Sequence, residues 1–221
     1  MAEEEFRRVL VWGGWLRLSH LCVGIATLVL LSTGWLIAGN PLLAEAALDY
    51  HYLAASLLLF GLVLRLALMI FGQGSERLGS LIPVQSELRG MGQTLLFYLS
   101  LARAPLPRWF AHNPLWKLVY LVVFLGLLIQ IVTGVLMKDQ PMFYNIYLPA
   151  IHGFWALVLL WFSILHIVAV VLHDLKGRGA DVSGIINGYR LFFIDRSSAP
   201  SSDEPTVQYV SMDSLKRKDE E

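Results

Sequence analysis

The sequence predicts an all-α integral membrane protein: a four-helix bundle, N-in and C-in, with a cytoplasmic interfacial helix between spans two and three. Three observations carry this. Apolar residues make up 56% of the 221-residue chain and charged residues only 15%, whereas a soluble domain typically carries about a quarter charged residues. Four apolar runs each approach or exceed the roughly 20 residues a helix needs to cross a bilayer. The basic side chains fall almost entirely on alternate connections between those runs. The 17 basic and 17 acidic residues cancel, leaving no cationic excess to bind nucleic acid. A single cysteine, Cys22, excludes a disulfide framework, a four-thiolate zinc site and the C-x-x-C-H attachment of a c-type haem.

The spans are read at about 18–38, 51–71, 115–137 and 151–172. Lipid cannot hydrogen-bond a free peptide group, so each must be a closed helix. The first run reads as a span rather than a cleaved leader. Acidic Glu3–Glu5 precede it together with Arg7 and Arg8, it is too long for a leader's apolar core, and no small-residue cleavage site follows. Lysine and arginine then set the orientation. Fifteen of them occupy the N-terminal segment, the connection between spans two and three, and the C-terminal segment; the other two connections hold Lys138 alone, and Arg65 lies within a span. Both termini and the long connection are therefore expected in the cytoplasm of a bacterium or archaeon. In that connection, residues 85–110 mix apolar and polar side chains and contain Pro105 and Pro107, which reads as an interfacial amphipathic helix followed by a proline-broken turn. Residues 1–196 form one membrane domain. Residues 197–221, rich in Ser, Asp, Glu and Lys, are expected to be a disordered cytoplasmic tail. No internal repeat is evident.

Ionisable groups inside a span are costly and point to function, although one intramembrane histidine can simply bridge two helices. Here the set matters more than any member. His152 and His166 are fourteen residues apart on the fourth span, close to four turns, so they share a face about 21 Å apart along the axis. His51 opens the second span at the depth of His152, and His20 lies near the start of the first at the depth of His166. Four histidines thus make two opposed pairs stacked across the membrane. Neutral imidazoles are strong axial ligands for haem iron, and two of them leave no open position, which suits electron transfer. A porphyrin needs space between helices. Gly34, fourteen residues after His20, would let one approach the backbone at the outer level. Arg65, fourteen residues after His51, and Arg17 are candidates for haem propionates, against the simpler reading that both snorkel to the interface. His173 is a rival to His166, seven residues on but shallower than His20.

These residues resemble the b-type cytochrome subunit of membrane-bound nickel–iron hydrogenases, within a wider group that includes the cytochrome subunits of formate dehydrogenases and thiosulfate reductases. The matching elements are Arg17-x-x-His20, Thr33-Gly34, His51 with Arg65, Pro83-Val84, His112-Asn113-Pro114, Thr133-Gly134, His152-x13-His166 and Asn187-Gly188-Tyr189-Arg190. The resemblance implies two haems b, the outer ligated by His51 and His152 and the inner by His20 and His166. It also implies electron transfer from a periplasmic hydrogenase and its iron–sulfur subunit to a quinone, ubiquinone or menaquinone, near the cytoplasmic side. Asn113 matches an asparagine that lies near the quinone in the formate dehydrogenase relatives. His112, Lys117 and His173 lie at similar depth and are candidates to pass protons to the quinone; Asn113-Pro114 also reads simply as a helix N-cap followed by a first-position proline. Two departures stand out: residues 138–150 are a shorter loop than the hydrogenase cytochromes usually have, and Ser19 replaces the tryptophan that commonly precedes the first ligand. Other periplasmic donors, formate dehydrogenase or a thiosulfate-type reductase among them, fit the same haem pattern, as does a homo-oligomer within the complex. A haem-free anchor or transporter is the rival of a different class.

Overall fold

The computed structural model describes residues 5–176 and 181–194; the tail expected to be disordered lies outside them. Arg8–Phe192 form one compact unit. Four long helices dominate it: α1 (Gly14–Gly39), α2 (Ala44–Phe71), α4 (Pro114–Leu136) and α5 (Leu148–Lys176), each long and apolar enough to cross a membrane. Between α2 and α4 runs α3 (Leu88–Leu99), preceded by three short 3-10 turns. The short α6 (Asp181–Asn187) follows α5. Strands β1 (Glu5–Leu10) and β4 (Tyr189–Ile194) pair with each other, as do β2 (Met142–Phe143) and β3 (Ile146–Tyr147). These strands and α6 lie outside the apolar runs and were not expected.

The helices overrun the apolar runs at their ends. α2 starts at Ala44, seven residues ahead of the apolar run at 51–71, and takes in Glu45 and Asp49. A helix does not need apolar side chains to continue, and an acidic residue in the first turn favours the positive end of the dipole. α5 likewise runs on to Lys176, with His173 and Lys176 in its last turn, where cations are favourable. α4 begins where expected. The Asn113 side chain accepts the Leu115 backbone N–H at 3.0 Å, and Pro114 occupies the first helical position, where its missing N–H is not needed. The interfacial helix is α3, ending where Leu101 and Ala102 turn into the left-handed region.

α1 and α2 form one antiparallel hairpin around Asn40–Leu43, and α4 and α5 form the other through the β2–β3 ribbon. The ribbon turns through Tyr144 and Asn145, both at positive φ, as a two-residue turn matched to strand twist requires. A small apolar core joins the hairpins: Ala26 of α1, Leu58 and Leu62 of α2, Leu127 of α4 and Leu159 of α5. Outward faces carry large apolar side chains such as Trp35, Phe60, Leu125 and Trp161, the surface a bilayer requires. Close approach within the first hairpin depends on Gly61. A Cβ there would sit 2.9 Å from Cys22 Cβ and 3.1 Å from the Val23 backbone nitrogen, while buried Ser19 donates to the Gly61 carbonyl at 3.2 Å. A tryptophan in place of Ser19, which is only 1% exposed, would force α1 and α2 apart.

Gly61→Ala should destabilise the solubilised protein by about 1–3 kcal/mol, since the backbone it meets cannot move aside. Gly24→Ala, where a Cβ meets nothing within 4 Å, should leave the thermal midpoint unchanged. A scan of both variants in one detergent checks the contrast.

Candidate functional site

The predicted histidines come together as two facing pairs. His51 of α2 faces His152 of α5 near the ribbon end of the bundle, with ring centroids 6.3 Å apart and planes at 55°. Near the N-terminal end, His20 of α1 faces His166 of α5 at 6.2 Å and 50°. Leu159, midway in α5 between its two histidines, belongs to the apolar core that separates the levels. Imidazoles binding one first-row ion from opposite sides, with nitrogen–metal bonds of about 2.0–2.1 Å and roughly 1 Å more to each ring centre, place their centroids about 6 Å apart. Both pairs fit that spacing. Among the described residues no group of three or more His, Cys, Asp or Glu gathers to hold a metal ion. An ion between either pair would take two protein donors and its remaining ligands from elsewhere, as iron in a macrocycle does.

The ribbon-end pair has partners that sequence reasoning missed. Thr33 Oγ1 of α1 lies 2.8 Å from His51 Nδ1, and Thr133 Oγ1 of α4 lies 2.9 Å from His152 Nδ1. Both threonines are buried. The following glycines lie against the same rings: a Cβ on Gly34 would sit 3.7 Å from His51 Cε1, and one on Gly134 would sit 3.5 Å from His152 Cε1. Each hairpin therefore carries a Thr-Gly at the end of its first helix and a histidine near the start of its second. The available signal was this recurrence, eighteen residues from Thr33 to His51 and nineteen from Thr133 to His152, too short to register as an internal repeat.

The N-terminal-end pair is set among aromatic rings. Phe162 stacks on His166 at 5.4 Å, Trp116 meets it edge-on at 5.7 Å, and Tyr120 lies at 6.2 Å. Trp116 Nε1 donates to Tyr98 Oη at 2.7 Å, and Tyr98 Oη is 2.6 Å from His173 Nε2. The structure thus gives buried His173 to Tyr98, while His166 is the residue facing His20.

Other predicted residues surround this end. Arg17 donates through Nη1 to the Ile186 carbonyl, and its buried Nε has no partner among the described residues. Gly188, at φ +87°, lies against it; a Cβ there would be 3.5 Å from Arg17 Nε and 2.7 Å from the Trp12 carbonyl. Arg65, only 5% exposed, donates to the Glu76 carbonyl at 2.6 Å. Asn113 serves α4 as its cap and donates through Nδ2 to Thr94 at 3.3 Å. Buried Lys117 is ion-paired with Glu87 at 2.6 Å. His112 packs edge-on against Trp12 at 4.9 Å, and its buried Nδ1 has no hydrogen-bond partner among the described residues. Burial, reinforced by the charges of Arg65 and Lys117, pushes His112 down to about 3. For Glu87, burial acts upward but is outweighed by the Lys117 ammonium and the Val84 N–H, which hold its carboxyl below the ordinary range.

A sequence model of the family described as prokaryotic cytochrome b561 matches residues 11–188. A protein of Cupriavidus necator named as a probable Ni/Fe-hydrogenase B-type cytochrome subunit is 26% identical over 208 residues, covering 80% of this chain and 84% of that one. A protein of Azotobacter vinelandii with the same name is 25% identical over 229 residues, covering 88% and 94%. No solved structure gives a significant match.

His112 is held neutral, with its value depressed from 6.5 to about 3, so the stability it contributes is complete above pH 6.5 and is lost as pH falls through that interval. Glu87 adds a loss only below its ordinary value of 4.5. The thermal midpoint should therefore decline as pH falls below 6.5, and His112→Gln should make that decline shallower, without abolishing it, from pH 6.5 down to about 3, while the share that Glu87 adds below 4.5 remains.

Proposed function

Because the chain belongs to the prokaryotic cytochrome b561 family, we propose that it is the membrane cytochrome b of a nickel–iron hydrogenase, carrying electrons from a periplasmic donor to the quinone pool. One haem b would be held by His51 and His152 and a second by His20 and His166. The single observation that carries this is the pairing of those four rings, both pairs at the spacing of two imidazoles sharing one metal ion. When bound, haem b supplies one-electron chemistry with no open iron position for oxygen. The names of both relatives support a hydrogenase as donor.

The chain's own residues do the holding and insulating. The imidazoles by themselves do not demand glycine at positions 34 and 134, where a methyl would reach only ordinary contact; a flat macrocycle lying across the helices would. Arg17, with a buried Nε–H that lacks a partner among the described residues, and Arg65 place cationic groups at the His20–His166 end, where propionates would be neutralised. The basic connections cluster at that same end, which supports it as cytoplasmic; the ribbon end then faces the periplasm and the iron–sulfur subunit.

Quinone would bind at the cytoplasmic end. Asn113 and Lys117 are committed there to Thr94 and the Leu115 N–H and to Glu87, and His173 to Tyr98. His112 is the member of that set whose Nδ1 is not already committed to a partner among the described residues.

Reduced-minus-oxidised spectra and haem extraction test the assignment. Wild-type protein should hold two haems b per chain. His51→Ala or His152→Ala should remove one, His20→Ala or His166→Ala the other, and a variant combining His51→Ala with His20→Ala should hold none. Full haem content in the single variants would refute the ligand set.

A further inference from the structure

We propose that Thr33 and Thr133 are matched positioning residues that hold His51 and His152 as Nδ1–H tautomers and so set the reduction potential of the haem between them. This rests on the haem reading above. Each threonine hydroxyl has one proton. Thr33 Oγ1 lies 2.8 Å from the Val29 carbonyl and 3.2 Å from that of Leu30; Thr133 Oγ1 lies 2.7 Å from the Ile129 carbonyl and 3.3 Å from that of Gln130. Carbonyl oxygens only accept, so both protons are committed to the helix backbone. Toward the imidazole each hydroxyl can only accept a hydrogen bond. The proton on that bond is therefore the histidine's, on Nδ1, and Nε2 is left with its lone pair.

Hydroxyl donation to the carbonyl four residues back is ordinary in this chain, as Ser32, Ser56 and Ser163 also do it. What is particular to Thr33 and Thr133 is the second contact, made from two different helices to two different histidines at nearly equal distances. Both threonines are more than nine-tenths buried, so no water competes for either bond. A bonded Nδ1–H fixes the tautomer and ring direction and makes Nε2 more basic. A more basic axial ligand favours ferric over ferrous iron and lowers the potential. Among the described residues His20 and His166 have no such hydroxyl. The two levels are thus built differently, with the ribbon-end ligands held through Nδ1 and the others held by aromatic packing.

Thr→Val keeps the shape and removes the oxygen; Thr→Ser keeps the oxygen and removes a methyl. The test is a potentiometric titration of both haems in Thr33→Val, Thr133→Val and the corresponding serine variants, with haem content measured in parallel. The signal absent from His51→Ala identifies the affected haem. Each valine variant should shift that haem's potential upward, or deplete that haem alone, and each serine variant should match wild type. Valine variants with both haems present at unchanged potentials would overturn the proposal. So would serine variants as damaged as the valine ones, because packing by the methyl would then be the cause. Fewer than two haems in the wild-type chain would instead overturn the haem reading and this one with it.

Discussion

Inside an apolar bundle a buried polar side chain is costly unless it finds a partner, and the architecture follows from how most of those partners are met within the protein. The hydroxyls of Thr33 and Thr133 return their protons to their own helices and accept from histidines on the next. Ser19 ties α1 to the Gly61 carbonyl, and Arg65 caps the Glu76 carbonyl. Leaving a buried donor or acceptor without a partner costs about 1–3 kcal/mol each, so these contacts fix helix rotation more sharply than apolar packing, which lipid competes with on equal terms.

That requirement makes the two hairpins alike at one end and unlike at the other. At the ribbon end, each supplies a Thr-Gly and a histidine of its own, and the two histidines meet across the bundle. At the N-terminal end the facing rings come from α1 and α5, and the neighbourhood is aromatic and cationic: Phe162, Trp116 and Tyr120 against His166, with His112 kept neutral chiefly by burial and further by the charges of Arg65 and Lys117. Under the function proposed above, with electrons taken at one face and delivered to a quinone at the other, this difference has a use, since only the delivering face needs groups that hydrogen-bond a quinone.

Much of the fold was legible in the sequence. Helix period and the fourteen-residue step from His152 to His166 set two levels, and the structure brings His51 and His20 to them. Asn113-Pro114 announced the start of α4. The helix ends were less legible, because Glu45 and Lys176 extend helices beyond any apolar pattern. The β2–β3 turn was not legible either, since Tyr144 at positive φ carries no turn signature. His173, a rival to His166 by spacing although shallower, is held by Tyr98, seventy-five residues away in sequence.

By itself the sequence determined what depends on local and universal constraints: bilayer thickness sets span length, and 3.6 residues per turn sets which histidines share a face and a depth. Only the tertiary structure decided which polar atoms meet, such as Thr33 with His51, Thr133 with His152, Tyr98 with His173 and Lys117 with Glu87. Those meetings depend on the rotation of each helix about its axis and on side-chain rotamers. Both are settled by packing between helices, and apart from the recurrent Thr-Gly to His step no spacing in the sequence announces them.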